Sequence, residues 1–184
     1  MIYFSSDLHF AHTSMPLIYE KRGFTNSDEM SEAVVRNFNN IVNSNDDVYL
    51  LGDYFLNGNE KGMHYFSQLN GRLHLVYGNH DSRVRQELVA KARNVVEVCG
   101  YATVLEYKKY HFYLSHYPTL CANYDQDKPL KARVINLCGH AHTQDRFVDM
   151  DKGLIYHVEL DAHDLKPVSI DEVISDIKSY LKKP

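Results

Sequence analysis

The chain has 184 residues, 44% of them hydrophobic and 24% charged, with 20 Lys and Arg against 24 Asp and Glu for a formal charge of −4. That length suits one domain over residues 1–184 with a core of its own, and the acidic balance argues against a general polyanion binder, whose affinity would come mainly from cationic contacts to phosphate. The amino terminus has neither the basic nor the apolar stretch of a signal peptide, and no apolar run approaches the ~20 residues of a membrane span. Cys99, Cys121 and Cys138 lack CxxC spacing; with those absences, they fit free thiols in a cytoplasmic protein. The anomaly is histidine, 11 residues in a chain with no Trp, an excess of the side chain that is both a neutral-pH base and a common metal ligand.

Short apolar runs closed by Gly or polar residues predict strands, in chain order, at 2–5, 48–51, 73–77, 95–98, 103–107, 110–115, 134–138 and 154–160. Between the first two, Met30, Val34, Phe38, Ile41 and Val42 line one face of a helix, with Asn26 or Ser27 as its N-cap. A shorter helix is expected over 82–92, and Lys108-Lys109 sits where a tight hairpin would turn. The last segment is the clearest helix. Ser169 and Glu172 have capping-box spacing, Ile170, Val173, Ile174, Ile177 and Leu181 form the stripe, and Lys178, Lys182 and Lys183 lie at the negative end of its dipole. Strand and helix alternate in the first half and strands dominate the second, which is an α/β (α+β) pattern with a mixed sheet or two packed sheets.

The chemically capable residues cluster where strands end. Asp7 and His9 follow the first run, Asp53 the second, Asn79-His80-Asp81 the third, His116 the run 110–115, and His140 and His142 the run 134–138. Carboxyl ends of strands are where open α/β sheets place their ligands. Carboxylate and amide oxygens mixed with imidazoles suit borderline divalent ions such as Mn, Fe, Zn, Co or Ni, and the absence of Cys argues against a closed structural zinc site. There are too many donors for one tetrahedral ion. Two ions sharing a carboxylate are the economical solution, and such a pair is suited to in-line displacement at phosphorus. Gly52, Gly78 and Gly139 fit sharp turns that bring the backbone close to those ions.

Asp7-Leu8-His9, Gly52-Asp53, Gly78-Asn79-His80-Asp81, His116 and Gly139-His140-Ala141-His142, in that order, resemble the calcineurin-like metallophosphoesterase superfamily, and the short chain is similar to a small bacterial or phage-type branch. The resemblance implies a four-layer sandwich of two packed mixed β-sheets flanked by helices. It also implies hydrolysis of a phosphodiester or phosphomonoester by a hydroxide bridging two metals, manganese first. Asp7, His9 and His142 would hold one ion and Asn79, His116 and His140 the other, with Asp53 bridging. His80 would be the general acid or transition-state donor, and Asp81 would orient it.

The remaining polar residues divide between roles. Asp81 doubles as a cap for the helix that follows it. His12 reads as an exposed loop residue, or as a substrate contact if it turns into the cleft. Arg83 is either a phosphate ligand or a helix-surface charge, and Tyr117 either stacks on a base or packs on the sheet. Asp161 and His163 would form a late wall of the site, while His64, His74, His111 and His157 read as structural. The segment 124–133, with Lys128, Lys131 and Arg133, is a solvated loop or the basic rim of the cleft. The expected substrate is a small phosphate ester or nucleotide. A nuclease and a non-catalytic binding module are the competing readings, and oligomeric state is open.

Overall fold

The computed structural model describes residues 1–14, 17–119, 129–148 and 153–182. Strands β1 (Ile2–Ser5), β2 (Asp47–Leu51), β3 (Arg72–Val76) and β4 (Val95–Gly100) run parallel, and β9 (Val168–Ser169) adds an antiparallel strand, giving the order β4-β3-β2-β1-β9. The second sheet has the order β5-β6-β7-β8. In it β5 (Ala102–Tyr107) and β6 (Tyr110–Ser115) form the hairpin expected at Lys108-Lys109, and β7 (Val134–Cys138) and β8 (Ile155–His157) continue in parallel with β6. The helices are α1 (Ile18–Lys21), α2 (Ser27–Asn39), α3 (Asn59–Phe66), α4 (Arg83–Val89) and α5 (Ile170–Tyr180).

Burial on both faces explains why β2 and β3 are mostly apolar. Val48, Leu50, Leu73 and Leu75 face the helices, where they meet Met30, Val34 and Phe38 of α2, Phe66 of α3 and Val89 of α4. Leu51 and Val76, with Phe4, face the second sheet through Phe112, Leu114, Ile135 and Leu137, and α5 joins this inter-sheet core through Val173, Ile174 and Ile177. The fold is therefore the expected one, two mixed sheets flanked by helices. The starts of α2 and α5 follow the capping logic. Asn26 Oδ1 accepts from the N–H groups of Asp28 and Glu29 at 3.1 and 2.9 Å, and Ser169 Oγ accepts from Glu172 N–H at 3.2 Å.

Three departures have physical causes. Helix α3 escapes its sequence because Gly62 sits mid-helix, a poor helix residue required here because a Cβ would collide with the Phe55 ring. Helix α1, four residues long, is shorter than a periodic pattern can mark, and the helix expected over 82–92 is present but shorter, at Arg83–Val89. The run 154–160 is a strand only to His157. Beyond it the chain leaves the second sheet for the first, where Glu159 bridges Ser6 and Leu160 N–H donates to Ser6 O at 3.3 Å before a 3-10 turn at Leu160–Ala162. That crossover delivers Asp161 beneath the strand ends. Cys99 and Cys138 are free thiols; Cys121, Lys183 and residues 124–128 of the loop 124–133, Lys128 among them, lie outside the described residues, as does the Lys131 side chain. Among those residues no helix is long and apolar enough to cross a membrane.

Candidate metal centre

Every candidate ligand leaves the carboxyl end of a strand, and the backbone there is bent hard. Asp7, His9, Asp53, His140 and His142 all have positive φ, between 48° and 73°, a conformation costing non-glycine residues roughly 1 kcal/mol or more each and concentrated at functional sites. Hydrogen bonds lock these turns together: Asp7 N–H to Gly52 O, His9 N–H to Asp53 O and Gly139 N–H to His116 O, each 3.0 Å. Gly52, at φ +90°, has no room for a side chain, since a Cβ would stand 2.5 Å from Gly78 N and 2.8 Å from His116 Nδ1. The loops after β2, β3 and β6 meet there.

The side chains converge in two groups, Asp7 with His9 and His142, and Asp7 with Asp53 and His116, the donor atoms of each lying within 4.8 Å of one another. His9 Nε2 and His142 Nε2 are 3.1 Å apart, and each is 3.6 Å from Asp7 Oδ1. That oxygen is buried and has no hydrogen-bond partner. In the second group His116 Nε2 lies 2.8 Å from Asn79 Oδ1, 3.2 Å from His140 Nδ1 and 3.5 Å from Asp53 Oδ2.

Tautomers decide what this geometry means. His116 Nδ1 donates to Leu51 O at 2.8 Å and His142 Nδ1 donates to Asp161 Oδ2 at 2.9 Å, because neither oxygen can donate. Both Nε2 atoms therefore carry lone pairs when the rings are neutral, aimed at other acceptors: Asn79 Oδ1 for His116 and Asp7 Oδ1 for His142. Facing acceptors at such distances call for a cation between them. The donor set fits divalent metals.

The charges agree. Burial lifts Asp53 to about 7 against the pull of His116, and burial drives His9 down to about 3 despite its neighbour Asp7. Burial also works on Asp7, but His9, His116 and His142 around it outweigh that and hold it well below the usual carboxylate range.

The other expected residues fall in different places. His80 stands over the cleft with Nε2 3.9 Å from Asp53 Oδ2, while its backbone N–H donates to Asp53 Oδ1 at 2.9 Å. Asp81 neither orients that ring nor caps α4. Its Oδ2 accepts from Asp53 N–H and Gly78 N–H at 2.8 and 2.7 Å, and its Oδ1 accepts from Tyr54 N–H at 3.1 Å, so both oxygens are spent on tying two loops together. His12 is 2% exposed rather than a surface residue, and its Nδ1 sits 3.0 Å from His9 Nδ1 in the cleft wall. Arg83, 92% exposed, pairs with Glu87 at 3.3 Å and is a helix-surface charge. Tyr117 is half-exposed, its ring edge-on to His116 and His140.

Histidines outside the cleft have other partners. His74 is held by Glu97 and Asp47 at 2.7 and 2.9 Å, and His157 is buried against Glu159 at 3.0 Å. His163 Nε2 donates to His157 O at 2.9 Å and stays behind the site. Three residues that sequence reading left without a role matter here. Lys21 lines the cleft, Glu159 accepts from Thr143 N–H at 3.2 Å next to the His142 turn, and Arg22 lies under Asp7. No local motif marks any of them.

Comparison with known proteins identifies a family. The family model described as calcineurin-like phosphoesterase superfamily domain matches residues 1–158. The uncharacterized protein MJ1445 of Methanocaldococcus jannaschii is 31% identical over 182 residues, covering 96% of this chain and 91% of its own length. The crystal structure of AQ665 from Aquifex aeolicus, a protein of unknown function, superposes with a TM-score of 0.70 at 24% identity, over 95% of this chain and 98% of that one.

Proposed function

The chain belongs to the calcineurin-like phosphoesterase superfamily, and we propose that it is a dinuclear metal-dependent phosphoesterase cleaving a small phosphodiester or phosphomonoester, nucleotides included. The observation that supports this is the set of facing lone pairs around Asp7 Oδ1 and His116 Nε2. Asp7, His9 and His142 would hold one ion and Asn79, His116 and His140 the other, with Asp53 shared between them. Divalent ions there, manganese first and iron, zinc, nickel or cobalt as alternatives, would supply Lewis acidity at the phosphoryl oxygens and a water of lowered pKa.

The chain's own groups do the rest. His80 offers an imidazole N–H to the leaving oxygen; burial lowers its pKa, so the neutral ring, a hydrogen-bond donor, dominates near neutral pH. Asp81 keeps the loops carrying Asp53 and His80 in register. Lys21 attracts an anion to the cleft wall. The cleft encloses about 190 Å³, small beside the ~300–1,000 Å³ of sites that swallow a whole organic ligand, so it would admit the phosphoryl group and leave most of the substituents outside. Of the described residues lining it, Lys21 alone carries a fixed positive charge, which favours a small ester over a long polyanion.

The test strips the protein with a chelator and restores Mn, Zn, Ni or Mg singly. A chromogenic diester, a monoester and 2′,3′- and 3′,5′-cyclic nucleotides are then assayed. Turnover should vanish without metal and return with Mn. A metal-reloaded protein inert toward all four esters overturns the reading.

A further inference from the structure

We propose that Arg22 and Asp161 are positioning residues that aim His142 and fix the Asp7 turn, so that the first metal position is built before any ion arrives. This rests on reading Asp7, His9 and His142 as ligands. Arg22 follows α1, and its side chain is 2% exposed. Its Nε and Nη2 donate to the two oxygens of Asp161 at 3.0 and 2.7 Å. The same guanidinium donates through Nη2 to Asp7 O at 2.7 Å and through Nη1 to Leu8 O at 3.3 Å. Asp161 Oδ2 in turn accepts from His142 Nδ1 at 2.9 Å. One planar fork thus joins the turn after β1, the crossover after β8 and the loop after β7.

The chemistry gives each contact a task. With the single proton of its neutral ring held at Nδ1 by Asp161, His142 presents a lone pair at Nε2, toward Asp7 Oδ1 and His9 Nε2. The bond to Asp7 O holds a left-handed residue, φ 57°, in the conformation that points its carboxylate inward. A lysine is a single point charge and could not satisfy Asp161 and two carbonyls at once. Stability is a poor explanation for the pair, since buried ion pairs seldom recover their desolvation cost. Orientation of ligands explains it directly.

The experiment titrates the metal-free full chain with Mn²⁺ or Zn²⁺ against a chromophoric chelator, with histidine tautomers followed by long-range ¹H–¹⁵N NMR and melting of the metal-free protein measured alongside. Wild type should bind two ions. Asp161→Asn keeps an oxygen for the His142 N–H and should weaken one step about 10-fold, and Asp161→Ala about 100-fold, the range for loss of a ligand's outer partner. Arg22→Lys should fall between them. The other step should stay within about twofold, and in Asp161→Ala His142 should lose its single Nδ1–H form. Should Asp161→Ala fail to fold, Asp161→Asn and Arg22→Lys carry the same test. Unchanged affinities overturn the inference, as does equal weakening of both steps together with a lower melting temperature, the signature of a purely structural pair. A wild-type chain that binds no divalent ion overturns the functional reading itself.

Discussion

The two halves of the proposed metal centre are built differently. Asp7 and His9 are almost wholly buried, and a second layer of side chains braces their half: Arg22 beneath Asp7, Asp161 behind His142, His12 against His9. Asn79 and His140 are exposed, and among His116, Asn79 and His140 only His116 has a ring nitrogen bonded outward, to Leu51 O. Tyr117, half-exposed, is the ring at their edge. A braced, dry half should hold its ion tightly, and an open one should exchange its ion and meet the substrate. Within one constellation, burial and outer partners separate a preformed position from an adaptable one.

Breaking both halves at once should have the largest effect. Asp53→Ala removes the carboxylate proposed to be shared and should cut the proposed phosphoesterase turnover by about 10³-fold or more, the scale on which a principal electrostatic element acts. A residual rate within tenfold of wild type would mean that the halves do not depend on a common ligand.

The contrast itself is sharpened by a pair of variants. His9→Ala should abolish the tighter of two metal-binding steps, while His140→Ala should weaken only the looser one, about 10- to 100-fold, in a calorimetric titration. Loss of the tighter step in His140→Ala would reverse the assignment of braced and open halves.

A smaller effect lies behind the braced half. Burial pushes His163 down to about 4 from an ordinary value of 6.5. The unfolded chain therefore takes up a proton below about 6.5 that the folded ring refuses. Its contribution is full above that pH and is lost progressively as pH falls toward 4, by at most about 3 kcal/mol. Urea denaturation of metal-free wild type and His163→Gln at pH 7 and 4.5 should show a shallower acid loss in the variant; parallel losses would exclude the effect.

The smallest change is expected outside both halves. Arg83→Ala should leave turnover within about twofold and melting within a degree or so, as an exposed i,i+4 pair contributes little. A large rise in KM would bring Arg83 back to the phosphate.

Much of the fold was legible because the strand signal is local. The runs of β1, β2, β3, β6 and β7 name themselves, and the polar residues that end them are the ones the structure gathers. Helix α3 was not legible, because Gly62 answers to the Phe55 ring and not to helix propensity. The role of Asp81 was misassigned because its three N–H partners lie on two loops that meet only in the folded sheet. His12 looked like a surface residue because its burial depends on what packs over it.

By itself the sequence determined the residue types and their order at the strand ends, since periodicity and turn chemistry act over a few residues. Tertiary structure alone decided which of those groups face one another at close range, and which are braced. The Arg22–Asp161 contact joins residues 139 positions apart. No spacing rule predicts it, because it exists only where the crossover after β8 reaches the first sheet.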